Sequence, residues 1–555
     1  MVGGPPAAED RRPLVATYRV QLRREFGFAD AAAVVPYLAD LGVSHLYCSP
    51  YLQAAPGSAH GYDVVDPGQI NAELGGAIGR EGLCRALTDR HLGQVLDIVP
   101  NHMAISGPEN RWWWDVLANG PKSRFADHFD VDWDPPGRQH PVKVVLPVLG
   151  DDLERVLESG ELELEPTDGG FVIRYHEHTF PVAAQSTEGM TLDGSEAALR
   201  HVLDRQHYRL AHWRSASRTL SYRRFFDVTT LIGVRVEDPR VFADTHHLVL
   251  DWLADGSLDG VRVDHIDGLR RPEEYVDRLR AAAGADAWIV VEKILEGDEQ
   301  LPGSWPVAGT TGYDALAAVD GVFVDPTGRD ALTELFCDVG GVEDVSASFA
   351  DVVRDAKRQV MEDVLGAEVH RLTVQLMAVL HGHTDLHRDV AAVGSHQVQQ
   401  TLVALLTTFP RYRAYVPEDA PAPAAERAVL EQAATDALAR EPHLDAGLLR
   451  FVVDVLAGRW NTPEASPESE ACMRFQQLSG PVVAKSVEDT AFYRYHRLLC
   501  LNEVGADPSR FGVDIDTFHR ETSEAASRWP RSMLASSTHD TKRSEDVRAR
   551  LALLS

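Results

Sequence analysis

Four short stretches place carboxylate, imidazole and ammonium groups where apolar runs end. Asp97, Asn101 and His102 lie in "DIVPNH", Arg262, Asp264 and His265 in "GVRVDHI", Glu292 and Lys293 in "VVEKIL", and His539 and Asp540 in "SSTHD". Charged side chains are seldom buried unless paired or used. If these runs are parallel strands of one barrel, their carboxyl ends open on a single face, where barrel enzymes carry their sites. Three carboxylates, Asp264, Glu292 and Asp540, then converge. One acting as nucleophile and another as protonated acid around an oxocarbenium-like transition state would cleave a glycosidic bond with retention. Taken singly, each stretch has a plainer reading: an ion pair at a strand end, or the charged start of a solvated helix. Their joint occurrence, in this order, favours a site.

The elements that must position these groups alternate. Strand-like runs at 16–22 ("ATYRVQL"), 45–51 ("HLYCSPY") and 94–100 ("QVLDIVP") are separated by helical patterns near 30–41 and 78–91. After a break the order resumes with "DGVRVDHI" (259–266), a helix over 271–284 and "AWIVVEKI" (287–294). Strands alternating with helices imply parallel βαβ units. Two later apolar runs, 480–488 and 533–540, bring the expected barrel strands to seven. The predicted fold is therefore an α/β, (β/α)8 TIM barrel with large insertions, ending before its last unit. The expected organisation is barrel over 1–102, a β-containing insertion over 103–220, barrel over 221–324, a helical insertion over 325–470 and barrel again over 471–555. No fixed-period repeat, GxGxxG or P-loop is present.

With 555 residues and 44% hydrophobic content the chain can bury a large core. Its formal net charge of −30 repels polyanions, so nucleic acid and anionic membranes are poor partners and a neutral one fits better. The start has no apolar run suited to a secretory signal, and no stretch of about eighteen apolar residues suits a membrane span, so a soluble cytoplasmic protein is expected. The five cysteines, an odd number without a CxxC pair, read as small buried apolar residues. No metal site is predicted: the Asp/Asn/Gly density of a calcium loop is missing, and His381, His383 and His387 read as a solvated turn. No motif implies an organic cofactor.

These motifs resemble, in order, the four strand-end motifs of the α-amylase superfamily, and "HGYDVVDP" (60–67) is similar to its early substrate-site motif. Longer stretches resemble the maltooligosyltrehalose synthase family within it: "TYRVQL", "YRRFFDVTTLIGVRVE" (222–237), "GTTGYDAL" (309–316), "FPRYRAYV" (409–416), "RFQQLSGPVVAKSVEDTAFYRYHRLLCLNEVG" (474–505) and "STHDTKRSEDVRARL" (537–551). Ser486 stands where that family has Gly, 379–389 departs from a more Arg-rich segment, and family members continue through a last barrel unit into a C-terminal β domain.

The resemblance implies roles. Asp264 would be the nucleophile, Glu292 the general acid/base, and Asp540 the carboxylate that stabilises the transition state. Arg262 would belong to the substrate-binding set and favour the ionised form of Asp264, and crowding by two other carboxylates would raise the pKa of Glu292. His102 and His539 would donate to sugar hydroxyls, and Tyr62 would offer a ring face. Asp97 would organise the site by bonding neighbours such as Arg262, beside Asn101. The implied reaction moves the reducing-end glucose of an α-1,4-glucan from an α-1,4 to an α,α-1,1 bond. Lys293, His265, Lys542 and Arg543 are the candidates for gripping that glucose, with Glu488 and Asp489 behind them. A trehalohydrolase acting on maltooligosyltrehalose would be the functional partner. The alternatives are an α-glucan hydrolase or transglycosylase, or a glucan-binding fragment without turnover.

Overall fold

The computed structural model describes residues 13–136, 143–188, 195–340, 349–383, 393–462 and 466–555. The chain divides into two compact units, Met1–Asp264 with Ala282–Ala287, and His265–Ala281 with Trp288–Ser555.

In the first unit the strands Thr17–Val20, His45–Cys48, Gly93–Ile98 and Gly260–Val263 run parallel, side by side in that order. The last three are buried at every position, which is why their sequences read as continuous apolar runs instead of alternating ones. Two charges break the runs at one level of the sheet, because the register sets Arg262 opposite Asp97. Gly93 allows the strands to approach: a Cβ there would lie 2.3 Å from the His45 ring. The helices Phe28–Leu41 and Gly76–Asp89 follow the first two of these strands, the former burying Phe28, Ala31, Val35 and Leu38 at helical spacing.

Between Gly93–Ile98 and Gly260–Val263 in the chain lie an antiparallel meander, Leu162–Thr167, Gly170–Tyr175 and His178–Pro181, and a separate parallel pair, Val144–Leu149 and Tyr208–His212. The "YRRFFDVTTLIG" stretch is a hairpin, Arg224–Phe225 with Val228–Gly233, turned at Phe226 (φ 49°). Its second strand pairs with His102–Ala104.

The second unit holds a parallel pair, Trp288–Val291 and Gly309–Thr310, and a mostly helical remainder. Its largest core gathers Leu372, Leu376, Leu402, Leu405, Val452 and Phe475. The helix Ala446–Leu456 belongs to this core and is buried at eight positions, in an unbroken run from Phe451 to Leu456.

Three expectations about elements are corrected. Residues 480–488 are not a strand: Pro467–Val483 is an α-helix that runs on into a π-helical turn, Ala484–Glu488. Their apolar run belongs to the helical core, through Leu478 and Val482, so that core extends past residue 470. Residues 533–540 have no strand structure and instead lie against a strand that the sequence reading passed over, Gly309–Thr310, with Met533 N donating to Thr310 O at 3.2 Å. A two-residue strand offers no periodicity to read. His381 and His383 close the helix Gly366–Gly382, where His383 bonds Glu468 at 2.8 Å, instead of lying in a solvated loop; His387 lies outside the described residues.

Candidate active site

In the first unit the strand-end polar groups form one buried network. Arg262 Nη1 lies 2.8 Å from Asp97 Oδ1 and 2.7 Å from Asp264 Oδ1. Asp97 Oδ2 accepts from the hydroxyls of Tyr47 (3.1 Å) and Tyr62 (2.5 Å), and Arg19 donates to the Tyr62 hydroxyl at 3.1 Å. Tyr62 is thereby fixed by its polar tip. The turn before it depends on Gly61 (φ 82°), where a Cβ would lie 2.2 Å from Pro50 O. Arg262 was expected to touch substrate. It is instead fully buried between two carboxylates, for which it supplies a counter-charge.

Asn101 accepts from Arg223 at 2.6 Å, and Arg223 also holds Asp130 at 2.8 Å. The His102 ring stacks on Phe225 with centroids 4.3 Å apart. The hairpin thus supplies both the ring under His102 and the cation that orients the residue before it.

In the second unit His265 adopts a left-handed backbone (φ 46°, ψ 52°), uncommon for a residue with a side chain, and its amide donates to Glu292 Oε2 at 2.7 Å. Lys293, expected to grip sugar, is corrected: its amine is fully buried, 3.1 Å from Asp267 Oδ2, 2.9 Å from Glu299 Oε1 and 3.0 Å from Ile294 O. Burial opposes its charge, but Asp267 and Glu299 outweigh that and lift it above the ordinary lysine value.

Asp540 accepts from Tyr313 Oη at 2.9 Å and lies 3.1 Å from His539 Nε2. The segment after it is held by buried Glu503, which accepts from the amides of Lys542 (2.7 Å) and Arg543 (3.1 Å). Arg543 Nη1 donates to Asn502 O at 3.3 Å, whereas Lys542 Nζ reaches 3.3 Å from Asp489 and 3.6 Å from Glu488. Tyr412 donates its hydroxyl to Glu488. Burial pushes the Tyr412 phenol well above its ordinary value, helped by the charges of Glu488, Glu296 and Glu292. Burial likewise lifts Glu488, with Lys542 and Tyr412 opposing and Asp540 adding. Glu292 and Asp540 therefore both act electrostatically on the Tyr412–Glu488 pair.

Sequence reasoning missed Arg19, Tyr47, Arg223, Phe225, Tyr313, Tyr412 and Glu503 as individual participants. Most lie inside stretches quoted above for their resemblance, and their contacts come from tertiary packing that no local pattern records. The second unit also holds a cavity of about 340 Å³, with Glu296, Lys357, Phe349, Phe409 and Val487 in its walls. Among the described residues no cluster of three or more His, Cys, Asp or Glu forms a metal-binding arrangement, and no helix is long and apolar enough to cross a membrane.

Residues 32–293 match the family model described as alpha amylase, catalytic domain. Over 552 residues the chain is 42% identical to a protein of Mycobacterium tuberculosis (strain ATCC 25618 / H37Rv) named putative maltooligosyl trehalose synthase, covering 98% of this chain and 65% of that protein. The solved maltooligosyltrehalose synthase from Arthrobacter ramosus superposes with a TM-score of 0.84 at 44% identity, over 98% of this chain and 65% of that one. A hypothetical maltooligosyl trehalose synthase of Sulfolobus tokodaii gives 0.76 at 31% identity, over 97% and 64%. The chain thus spans about 65% of the length of these relatives, and its fold is the α/β barrel of the α-amylase type with large insertions.

Proposed function

Because the chain belongs to the α-amylase superfamily, we propose that it carries the catalytic site of an intramolecular transglycosylase that turns the reducing-end α-1,4 bond of a maltooligosaccharide into a terminal α,α-1,1 bond. Asp264 attacks the anomeric carbon and forms a glycosyl ester as the bond to O4 of the last glucose breaks. Glu292 gives its proton to that O4. The freed glucose turns in place, Glu292 takes the proton from its anomeric hydroxyl, and that oxygen displaces Asp264. Atoms balance without water, and two inversions leave the α configuration.

The observation that carries this reading is the different anchoring of the two carboxylates: Asp264 Oδ1 lies 2.7 Å from a guanidinium, whereas Glu292 is oriented by a neutral backbone amide, 2.7 Å away. A permanent counter-charge suits a nucleophile, and a neutral donor suits a group that must gain and lose a proton. Asp540, held by Tyr313 and His539, would stabilise the charge developing on the sugar ring. Retaining the glucose long enough to react again requires a grip. Tyr412, Glu488 and Lys542 supply mutually bonded polar groups for it. The product would be passed to a trehalohydrolase that releases trehalose.

Chromatography of products from maltopentaose tests the proposal. A product of the same mass that no longer reduces alkaline copper is expected, and short reducing sugars alone would identify a hydrolase instead. Asp264→Asn is expected to abolish both outcomes while glucan binding persists; retained turnover would overturn the nucleophile.

A further inference from the structure

Lys293 follows Glu292 in the chain, and its amine pairs with Asp267 Oδ2 at 3.1 Å. Asp267 lies two residues after His265, whose amide donates to Glu292 Oε2 at 2.7 Å. The four residues form a closed ring: Glu292 to Lys293 by a peptide bond, Lys293 to Asp267 by an ion pair, Asp267 to His265 along the chain, and His265 to Glu292 by a hydrogen bond.

The ring is braced from outside. Tyr415 donates its hydroxyl to Asp267 Oδ1, and fully buried Arg413 donates to the carbonyls of Asp267 (2.7 Å), Leu269 and Arg270 (2.9 Å). Gln477 Nε2 donates to Gly268 O at 3.0 Å. Glu299, 2.9 Å from the same amine, sets a second carboxylate against the one cation. Such bracing is what a left-handed His265 requires, since a non-glycine residue persists there only when its surroundings over-determine it.

We propose that Lys293 is a positioning residue for Glu292: by anchoring Asp267 it holds the His265 amide, and through it the acid/base carboxyl, in the orientation that proton transfer needs. This rests on the reading of Glu292 as the acid/base. The ring predicts a defect confined to proton transfer, unlike a grip on the departing glucose, which would change the product ratio.

The experiment compares maltopentaose with α-maltotriosyl fluoride, whose fluoride leaves without a proton from an acid. First-turnover fluoride release then reports glycosylation of Asp264 alone. In the full chain, Lys293→Met is expected to slow maltopentaose conversion about 100-fold and to flatten or shift its pH profile, with fluoride release near that of the unsubstituted chain and an unchanged share of free glucose. Asp267→Asn keeps the size of the side chain and is expected to give the same pattern at about tenfold, so it decides the matter if Lys293→Met does not fold. Equal losses on both substrates, or a rise in free glucose at preserved turnover, would overturn the proposal. Glu292→Gln is the control. It must lose maltopentaose conversion and keep fluoride release; if it converts maltopentaose normally, the acid/base assignment fails independently of the ring.

Discussion

Arg262 reaches Asp97 and Asp264 through the same nitrogen, Nη1, at 2.8 and 2.7 Å, and all three side chains are buried or nearly so. One cation thus neutralises two carboxylates carried by neighbouring strands. Arg262→Met removes it and leaves both buried acids without this counter-charge, a change that costs about 3–5 kcal/mol. A clearly lower melting temperature together with loss of glycosylation is expected by calorimetry and fluoride release. A variant that melts with the parent would show that the network does not stabilise the sheet.

Tyr412 and Glu488 are bonded to each other, and Lys542 stands 3.6 Å from Glu488. A hydrogen bond to a charged group contributes about 1.5 kcal/mol or more, so Tyr412→Phe is expected to raise the share of free glucose about tenfold with glucan cleavage little changed. Lys542→Ala tests the cation in the same assay. An unchanged product ratio in either variant removes that residue from the grip.

Glu503 accepts the amides of Lys542 and Arg543 and lies 3.5 Å from Arg548. Its carboxylate fixes the turn that follows Asp540. Glu503→Gln replaces one acceptor oxygen by a donor, leaving one of those amides facing a donor at a cost of about 1–3 kcal/mol. Reduced turnover is expected alongside a lower melting temperature, and steady-state rates at a temperature well below the melt separate the two effects.

Glu296 carries its own pH signature. Burial first, then Glu299, Asp507 and Glu488, push its carboxyl from an ordinary 4.5 up to about 8, against the pull of Lys293. Lys357, across the same cavity, is lowered to about 8 by burial, with Glu296 partly restoring its charge. Between pH 4.5 and 8 the folded chain keeps a proton on Glu296 that the unfolded chain has released, so stability falls as pH rises through that window. Glu296→Gln removes this loss. Its melting temperature is expected to match the parent near pH 4.5 and to exceed it by on the order of 2 °C by pH 8; parallel curves across the window would refute the assignment.

The candidate site residues stood out because their types clash with their surroundings: an Arg and two Asp in and beside an apolar strand announce themselves, and the register sets Arg262 opposite Asp97. The parallel strands at 17–20, 45–48, 93–98, 260–263 and 288–291 were legible for the same reason of unbroken apolarity. That signal also misled. "GPVVA" is as apolar as a buried strand, and only the series Phe475, Leu478 and Val482, at helical spacing against a helical core, decides that it is helix. Lys293 reads from the sequence as a cation beside an acid. Its commitment to Asp267 and Glu299 comes from partners 26 positions before it and six after it, which no local pattern encodes.

The π-helical turn Ala484–Glu488 follows Pro481, which has no backbone N–H to give to the preceding turn. A wider turn accommodates one residue more than an α-helix would over the same rise. Winding the same residues as an ordinary α-helix would rotate everything downstream by about 100°. Glu488 would then swing off the Tyr412 hydroxyl, so the spacing between Pro481 and Glu488 acts as an indexing mark that sets the angular address of a carboxylate.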